Sequence, residues 1–237
     1  MEEKLPTKTP KRKVAVFDID GTFFRSSLLI ELVEVFVQKG IFPSKTSKIY
    51  QPAYKKWRDR KESYENYIAS VIKAFDKNID GVDCDKFVEI ADKVASVNQN
   101  YIYCYTRDLV KELKNKGYFI LAISHSPWGV LEKFCKKNGF DKVYGRFYKV
   151  NTNGKLTSTV EHEKLISDKA KILMRALEKE NLTLKKSIGV GDTESDIPFL
   201  KIVEKPICFN PNKKLYDYAK NKKWKVIIER KDMIYHI

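Results

Sequence analysis

Short apolar runs that stop abruptly at polar residues recur along the chain and alternate with helical patterns. The runs cover residues 14–17, 118–123, 187–190, 206–209 and 225–228, and the helical patterns cover 28–39, 109–116, 131–137 and 168–180. Short runs rich in β-branched residues predict buried strands. Strands that alternate with helices predict an α/β fold, a doubly wound parallel sheet with helices on both faces. A β-hairpin is predicted where the runs 143–150 and 156–160 flank the turn 151–154.

The segment 41–105 differs from the rest of the chain, because it carries almost no strand pattern and is rich in aromatic and charged residues. Aromatic residues recur in it at helical spacing: Tyr50, Tyr54, Trp57, Tyr64 and Tyr67. We therefore predict a small helical cap at 41–105, inserted into a core domain formed by 13–40 and 106–237. The aromatic stripe is most simply the core of that cap, and only secondarily a wall for a ligand. The lysine-rich residues 1–12 are predicted to be a disordered tail.

The charge balance raises the question of a nucleic-acid partner. The chain has 237 residues and a formal net charge of +15, but only 8 of its 46 basic residues are arginines, and the 38 lysines are spread along the sequence. Scattered lysine suits a solvated surface, whereas phosphate recognition favours the planar fork of arginine. We therefore do not expect nucleic acid to be a partner. A positive field would still attract a phosphorylated substrate.

The apolar runs and the cysteines together predict where in the cell the protein resides. No apolar run approaches the ~20 residues that span a bilayer, and the first residues lack the apolar stretch of a secretory signal. The chain has four cysteines, Cys84, Cys104, Cys135 and Cys208, and they show no zinc-like spacing. We expect them to be reduced thiols, which predicts a cytoplasmic protein without a membrane partner.

Polar side chains follow three of the predicted strands, at the edge where a parallel sheet binds its ligands. Asp18 and Asp20 follow the first strand, Ser124 the second and Asp192 the third. Side chains two residues apart in an extended chain point the same way, so the first two carboxylates can face one pocket. Carboxylates held together repel each other unless a cation joins them, and Mg²⁺ prefers oxygen ligands. We therefore predict a magnesium site formed by Asp18, Asp20 and Asp192.

The requirements of phosphoryl transfer suggest a role for each of these residues. Asp18 is the predicted nucleophile, because a carboxylate can attack phosphorus and form an acyl phosphate. Asp20 is the predicted acid and base, which protonates the leaving oxygen and then activates water. Lys169 is predicted to pair with the phosphate and the nucleophile. Asp196 is predicted to hold the metal ligands in place without binding the metal itself. The predicted phosphate-binding residues are Gly21, Thr22, Ser124, His125 and Lys169.

Each of these residues also has a plainer interpretation. The first two aspartates can cap a turn after a strand. Ser124 and His125 can be ordinary loop residues, and Lys164 or Lys171 could take the place of Lys169. The functional interpretation requires these side chains to lie together in one pocket, whereas the plainer ones do not.

The order of the polar motifs resembles that of the haloacid dehalogenase (HAD) superfamily. Its four motifs occur in order, as 18–22, Ser124, Lys169 and 191–196. The stretches 123–127, 196–200 and 209–212 are similar to the phosphoserine-phosphatase-like branch, subfamily IB. The resemblance implies a Rossmann-like core with a helical cap between the first and second motifs. Because the second aspartate, Asp20, is present, it also implies hydrolysis of a phosphate ester.

We therefore predict a Mg²⁺-dependent phosphatase, a phosphoric monoester hydrolase, that acts on a small phosphorylated metabolite through an aspartyl-phosphate. One alternative is a phosphatase for a phosphorylated macromolecule or a nucleic-acid end. Another is a catalytically silent, basic nucleic-acid-binding protein of the same fold. Phosphoserine phosphatases usually carry a glutamate that helps to hold the substrate's amino group, and Ser27 stands at the corresponding place. This departure argues against phosphoserine itself as the substrate.

Overall fold

Nine strands and ten α-helices lie in residues 10–237, the part of the chain that the computed structural model describes. The strands are β1 (Arg12–Phe17), β2 (Phe119–Pro127), β3 (Lys142–Arg146), β4 (Tyr148–Val150), β5 (Leu156–Val160), β6 (Leu182–Gly191), β7 (Lys205–Phe209), β8 (Lys225–Arg230) and β9 (Met233–His236). The helices are α1 (Leu28–Gln38), α2 (Ser47–Arg58), α3 (Tyr64–Asn78), α4 (Cys84–Val97), α5 (Cys104–Asn115), α6 (Trp128–Lys137), α7 (Glu163–Ile166), α8 (Lys169–Lys179), α9 (Ile197–Leu200) and α10 (Lys213–Lys222). Within these residues no helix combines the length and apolar character needed to cross a bilayer.

Seven strands form one sheet in the order β3-β2-β1-β6-β7-β8-β9, and β4 pairs with β5 in a separate hairpin. Neighbours in the large sheet run parallel, except that β9 is antiparallel to β8. The chain winds outward from β1 to β3, returns beside β1 as β6, and then winds outward on the other side. This order confirms the predicted α/β fold with a doubly wound, Rossmann-like sheet.

The central strands, such as β1, are buried on both faces because helices cover each side of the sheet. In β1, Ala15 and Phe17 enter one apolar cluster, whereas Val14 and Val16 enter another. Side chains alternate between the two faces of a strand, so one continuous apolar run serves both clusters. The first cluster takes its helical residues from α1 to α6, and the second from α7 to α10. The result is a sheet sandwiched between two helical layers.

Helices α1 to α4 pack together as one group. Phe36 of α1 stacks on Phe87 of α4 with ring centroids 6.0 Å apart, and its ring lies 6.4 Å from that of Phe75 in α3. The predicted boundary between core and cap, at residue 40, therefore falls inside a single packed group of helices. The division of the chain into core and cap stays a prediction.

Three details of the fold differ from the sequence-based predictions. Arg12 already lies in β1, so the predicted tail 1–12 overlaps a strand, and residues 1–9 lie outside the described part of the chain. The run 143–150 is not one hairpin strand, because its first half pairs with β2 in the large sheet and only Tyr148–Val150 pairs with β5. The sequence analysis missed strand β9, although three of its four residues are apolar. All four residues are exposed in the structure.

Asp168 caps α8, the helix that begins with Lys169. Its Oδ1 accepts hydrogen bonds from the N–H groups of Ala170 at 3.0 Å and Lys171 at 3.2 Å. We expect Asp168→Ala to lower the free energy of unfolding by about 1 kcal/mol, because these N–H groups lose their acceptor. Urea unfolding followed by circular dichroism measures this loss. The matched control is Glu178→Ala, an exposed position on the same helix, which should change stability by less than about 0.5 kcal/mol. Equal losses in the two variants would contradict the capping role.

Candidate active site

Two neighbouring strands, β1 and β6, bring acidic residues to one edge of the sheet. Asp18 follows β1 and Asp192 follows β6, and the backbone N–H of Asp18 donates to the carbonyl oxygen of Val190 at 2.9 Å. The strand order reverses between β1 and β6. In open α/β sheets the ligand crevice lies at such a reversal, beyond the carboxyl ends of the strands. The topology therefore places Asp18 and Asp192 together at the expected crevice.

Lys169, the first residue of α8, joins two of the aspartates. Its Nζ lies 2.5 Å from Oδ1 of Asp18 and 2.5 Å from Oδ1 of Asp196, and its side chain is buried. Burial disfavours the charge of this ammonium group, but the two carboxylates outweigh that effect and raise the pKa of Lys169. The competing lysines, Lys164 and Lys171, are exposed. Lys169 is therefore the lysine that the structure places in this cluster.

The clustered aspartates carry more negative charge than Lys169 balances. Burial raises the pKa of Asp18 to about 7, although Lys169 acts in the opposite direction. Burial raises the pKa of Asp192 as well, and the charges of Asp18 and Asp196 raise it further. A cation placed between these carboxylates would relieve their repulsion and keep them ionised.

The donor set fits a hard divalent cation. One carboxylate oxygen from each of Asp18, Asp192 and Asp196 lies within 4.8 Å of the others, and Mg²⁺ prefers such oxygen ligands. Asp196 is already engaged, because its Oδ1 accepts from Lys169 and its Oδ2 accepts from the N–H groups of Asp192 at 3.0 Å and Thr193 at 3.1 Å. Asp18 and Asp192 are therefore the better placed ligands, and Asp196 orients Lys169 and Asp192.

The carboxylate of Asp20, a predicted metal ligand, does not belong to this acidic group. Its Oδ1 accepts the N–H of Leu28, at the start of α1, at 2.6 Å. Its Oδ2 accepts the hydroxyl groups of Ser124 at 2.6 Å and Ser126 at 2.8 Å. Donors from α1 and β2 thus hold both oxygens, which is why this carboxylate stands apart. The geometry favours Asp20 as a proton carrier and gives no support to its side chain as a metal ligand.

Ser126 is a candidate functional residue that the sequence analysis missed. Besides binding Asp20 through its hydroxyl, it donates its N–H to Oγ of Ser124 at 2.9 Å, and its side chain is buried. Ser124 and Ser126 are two residues apart in β2, which is the same spacing that drew attention to Asp18 and Asp20. Side chains two residues apart in an extended chain point the same way, so the same argument applied to Ser124 would have identified Ser126.

Gly21 and Thr22, predicted to bind phosphate, are used in this structure to hold Asp192. Gly21 has φ of +83°, and a Cβ at this position would lie 2.2 Å from Oδ2 of Asp192. Only glycine combines that backbone conformation with so close an approach. The buried hydroxyl of Thr22 donates to Oδ1 of Asp192 at 2.9 Å. Thr22 therefore fixes the position of the Asp192 carboxylate, and Gly21 leaves the space for it.

His125 lies on the wall of the same crevice. Burial, followed by the charges of Lys169 and Arg146, lowers the pKa of His125 to about 4, so its imidazole is neutral at pH 7. Its Nε2 is buried and has no hydrogen-bond partner among residues 10–237. A neutral imidazole nitrogen can form one hydrogen bond with a ligand, as donor or acceptor according to its tautomer.

A cavity of about 210 Å³ lies between the sheet edge and the helices α1 and α3. Its sheet side carries Asp18, Asp20, His125 and Ser126, with Lys169 beside them at the start of α8, and the side formed by α1 and α3 carries Ser27, Leu29, Tyr64, Glu65, Ile68 and Ile72. A few polar groups opposite an apolar wall are typical of a small-molecule site. We call this space the catalytic cavity.

Comparison with known proteins assigns the chain to a family. Residues 15–201 match the family model described as haloacid dehalogenase-like hydrolase, which is more than half of the chain. The "inhibition of morphological differentiation protein" of Streptomyces azureus is 21% identical over 225 residues, which cover 91% of this chain and 78% of that protein. The phosphoserine phosphatase of Methanocaldococcus jannaschii is 31% identical over 127 residues, which cover 53% of this chain and 57% of that protein.

A solved structure supports the same assignment at the level of the fold. A phospho-aspartyl intermediate analogue of phosphoserine phosphatase superposes with a TM-score of 0.61 at 24% identity, and the alignment covers 94% of this chain and 95% of that one. Together these matches confirm the predicted resemblance to the phosphoserine-phosphatase-like branch. The chain therefore belongs to the haloacid dehalogenase-like hydrolase family.

Proposed function

We propose that the protein is a Mg²⁺-dependent phosphatase that hydrolyses a small-molecule phosphomonoester through an aspartyl-phosphate on Asp18. The observation that carries this proposal is the contact of Lys169 Nζ with both Asp18 and Asp196, each at 2.5 Å, where Lys169 and Asp18 line the catalytic cavity. It fixes one oxygen of Asp18 and supplies a buried positive charge beside the place where a phosphate would be attacked.

The reaction class rests on the family. The prediction of a phosphoric monoester hydrolase is confirmed by the match to the haloacid dehalogenase-like hydrolases and by phosphatases among the relatives. The metal, the intermediate and the size of the substrate are parts of our proposal. Support for a small substrate comes from the catalytic cavity, whose volume of about 210 Å³ is enough for a phosphate and a short alkyl chain.

The proposed reaction has two steps at phosphorus. In the first, a carboxylate oxygen of Asp18 forms a bond to phosphorus, the ester oxygen leaves with the bonding electrons, and Asp20 gives that oxygen a proton. In the second, Asp20 takes a proton from water, the water oxygen attacks phosphorus, and the bond to Asp18 breaks. Hydroxyl groups can donate or accept, so Ser124 and Ser126 can hold Asp20 in both protonation states.

Asp18 and Asp192 would hold the Mg²⁺ ion, which supplies positive charge opposite the phosphoryl oxygens. Against the effect of burial, Lys169 lowers the pKa of Asp18, which favours its ionised form, and holds one of its oxygens, and His125 offers its unpartnered nitrogen to the substrate. The apolar residues on the helical side exclude water from the cavity. We keep the cytoplasmic location as part of the proposal, and the four free cysteines are compatible with it.

The first prediction from the proposed function concerns the nucleophile. Asp18→Asn should reduce kcat by about 10⁴-fold or more, because an amide cannot form the acyl phosphate. The measurement is release of inorganic phosphate from p-nitrophenyl phosphate with Mg²⁺ present. The matched control is Asp217→Asn, at an exposed position on α10, which should keep the wild-type rate. Wild-type turnover in a folded Asp18→Asn protein would clear Asp18 of this role.

The second prediction concerns the metal. Activity should disappear after treatment with EDTA and return on addition of MgCl₂, because the buried carboxylates otherwise repel each other and the incoming phosphate. The control is NaCl added to the same ionic strength, which should restore nothing. Full activity in excess EDTA would overturn the metal site.

The third prediction separates Asp20 from Asp18. Asp20→Asn should slow the first step with an alkyl phosphate by about 100-fold or more, and with p-nitrophenyl phosphate far less, because nitrophenolate leaves without a proton. A rapid-quench measurement of the burst isolates this step from hydrolysis of the aspartyl-phosphate. An equal loss with both esters would mean that Asp20 acts on structure rather than on the leaving group.

A further inference from the structure

A second cavity, of about 630 Å³, adjoins the catalytic cavity. The two spaces share Tyr64, Asp192 and Thr193 in their walls. Tyr64 lies at the junction, and its pKa is raised by burial and by the charges of Asp20 and Asp192. A substrate whose phosphate lies beside Asp18 can therefore extend past Tyr64 into this second space.

Six aromatic residues line the second cavity: Tyr50, Tyr54, Trp57, Tyr64, Tyr67 and Tyr103. We call them the aromatic box. The ring of Trp57 stacks on Tyr67 with centroids 5.6 Å apart, and meets Tyr64 edge to face at 5.4 Å. Burial and the charge of Glu34 raise the pKa of Tyr67, so its phenol stays neutral. Neutral aromatic faces attract cations, and several such faces around one space are a known way to bind an alkylammonium group.

Two carboxylates on α1, those of Glu31 and Glu34, line the same cavity. They lie one helical turn apart, and none of the ion pairs found in residues 10–237 includes either of them. Partial burial and the charge of Glu31 raise the pKa of Glu34. In a chain with net charge +15, a pair of acidic groups without a cationic partner is a local reversal of sign. That reversal favours a positively charged occupant.

Arg25 also lines the second cavity, and its charge is placed against one ring of the aromatic box, Tyr103, and against Tyr101 outside the box. Its guanidinium lies 5.1 Å from the ring centroid of Tyr103 and 5.9 Å from that of Tyr101. It makes no ion pair with Glu31 or Glu34 within the described residues. The two carboxylates therefore remain to be matched by a ligand.

We propose that the aromatic box, with Glu31 and Glu34, binds an organic cation, and that the substrate is a phosphomonoester carrying an alkylammonium group. This inference rests on the proposed phosphatase function and adds the chemical class of the leaving alcohol. Ser27, which lines the catalytic cavity, supplies no charge there, so recognition of the cation falls to the next turns of α1.

The test compares two esters of the same shape and different charge. Phosphocholine carries a trimethylammonium group, and 3,3-dimethylbutyl phosphate replaces its nitrogen with carbon. We expect kcat/KM for phosphocholine to exceed that for the neutral ester by about tenfold or more. In the double variant Glu31→Gln/Glu34→Gln this preference should fall toward unity. The control Glu178→Gln, an exposed glutamate on α8 that lines neither cavity, should retain it.

Thermal melting by circular dichroism checks that the variants are folded, and p-nitrophenyl phosphate reports the phosphatase reaction itself. Equal kcat/KM for the two matched esters overturns the cation site and leaves the proposed function standing. So does a preference that survives in the folded double variant. Turnover of p-nitrophenyl phosphate without turnover of either matched ester also overturns the cation site. Absence of Mg²⁺-dependent turnover with all three esters overturns the proposed function, and the cation site falls with it.

Discussion

The buried contact of Lys169 with Asp18 and Asp196 is the interaction on which the site depends. Removing charges from water is costly, and deleting one partner would leave the others uncompensated. With Asp192 included, one ammonium group faces three buried carboxylates. The site is therefore an acidic chamber that lacks positive charge. That imbalance explains why a divalent cation fits there, and why we expect a phosphate dianion to need that cation in order to enter.

The charge of the protein changes sign between its surface and its cavities. The chain as a whole carries +15, and its many exposed lysines create a field that draws anionic phosphate toward the protein. The catalytic cavity and the adjoining second cavity instead have several carboxylates in their walls, among them Asp192, Glu31 and Glu34. The surface lysines attract the phosphate while it is still outside the protein. The carboxylates select a cation only on contact inside the cavity, so the two effects are compatible.

Much of the fold could be predicted because its signals are local. Apolar runs such as 14–17 and 187–190 show burial on both faces, and the helical patterns between them imply parallel strands. The parts that escaped prediction have a physical reason as well. Strand β9 has only four residues and its apolar side chains are exposed, so its pairing with β8 was not evident from a buried apolar run. The run 143–150 divides between two sheets, because its first half pairs with β2 and its last three residues pair with β5.

The sequence by itself determined the fold class, the family motifs and the candidates for nucleophile and metal ligand, because these follow from residue type and position at strand ends. Only the tertiary structure decided which groups meet. It selected Lys169 over exposed lysines nearby, placed the Asp20 carboxylate with Ser124 and Ser126 rather than with Asp192, and brought acidic residues of α1 beside aromatic residues of α2 and α3. Those contacts join residues far apart in the chain, and their distances are set by the packing of helices on the sheet.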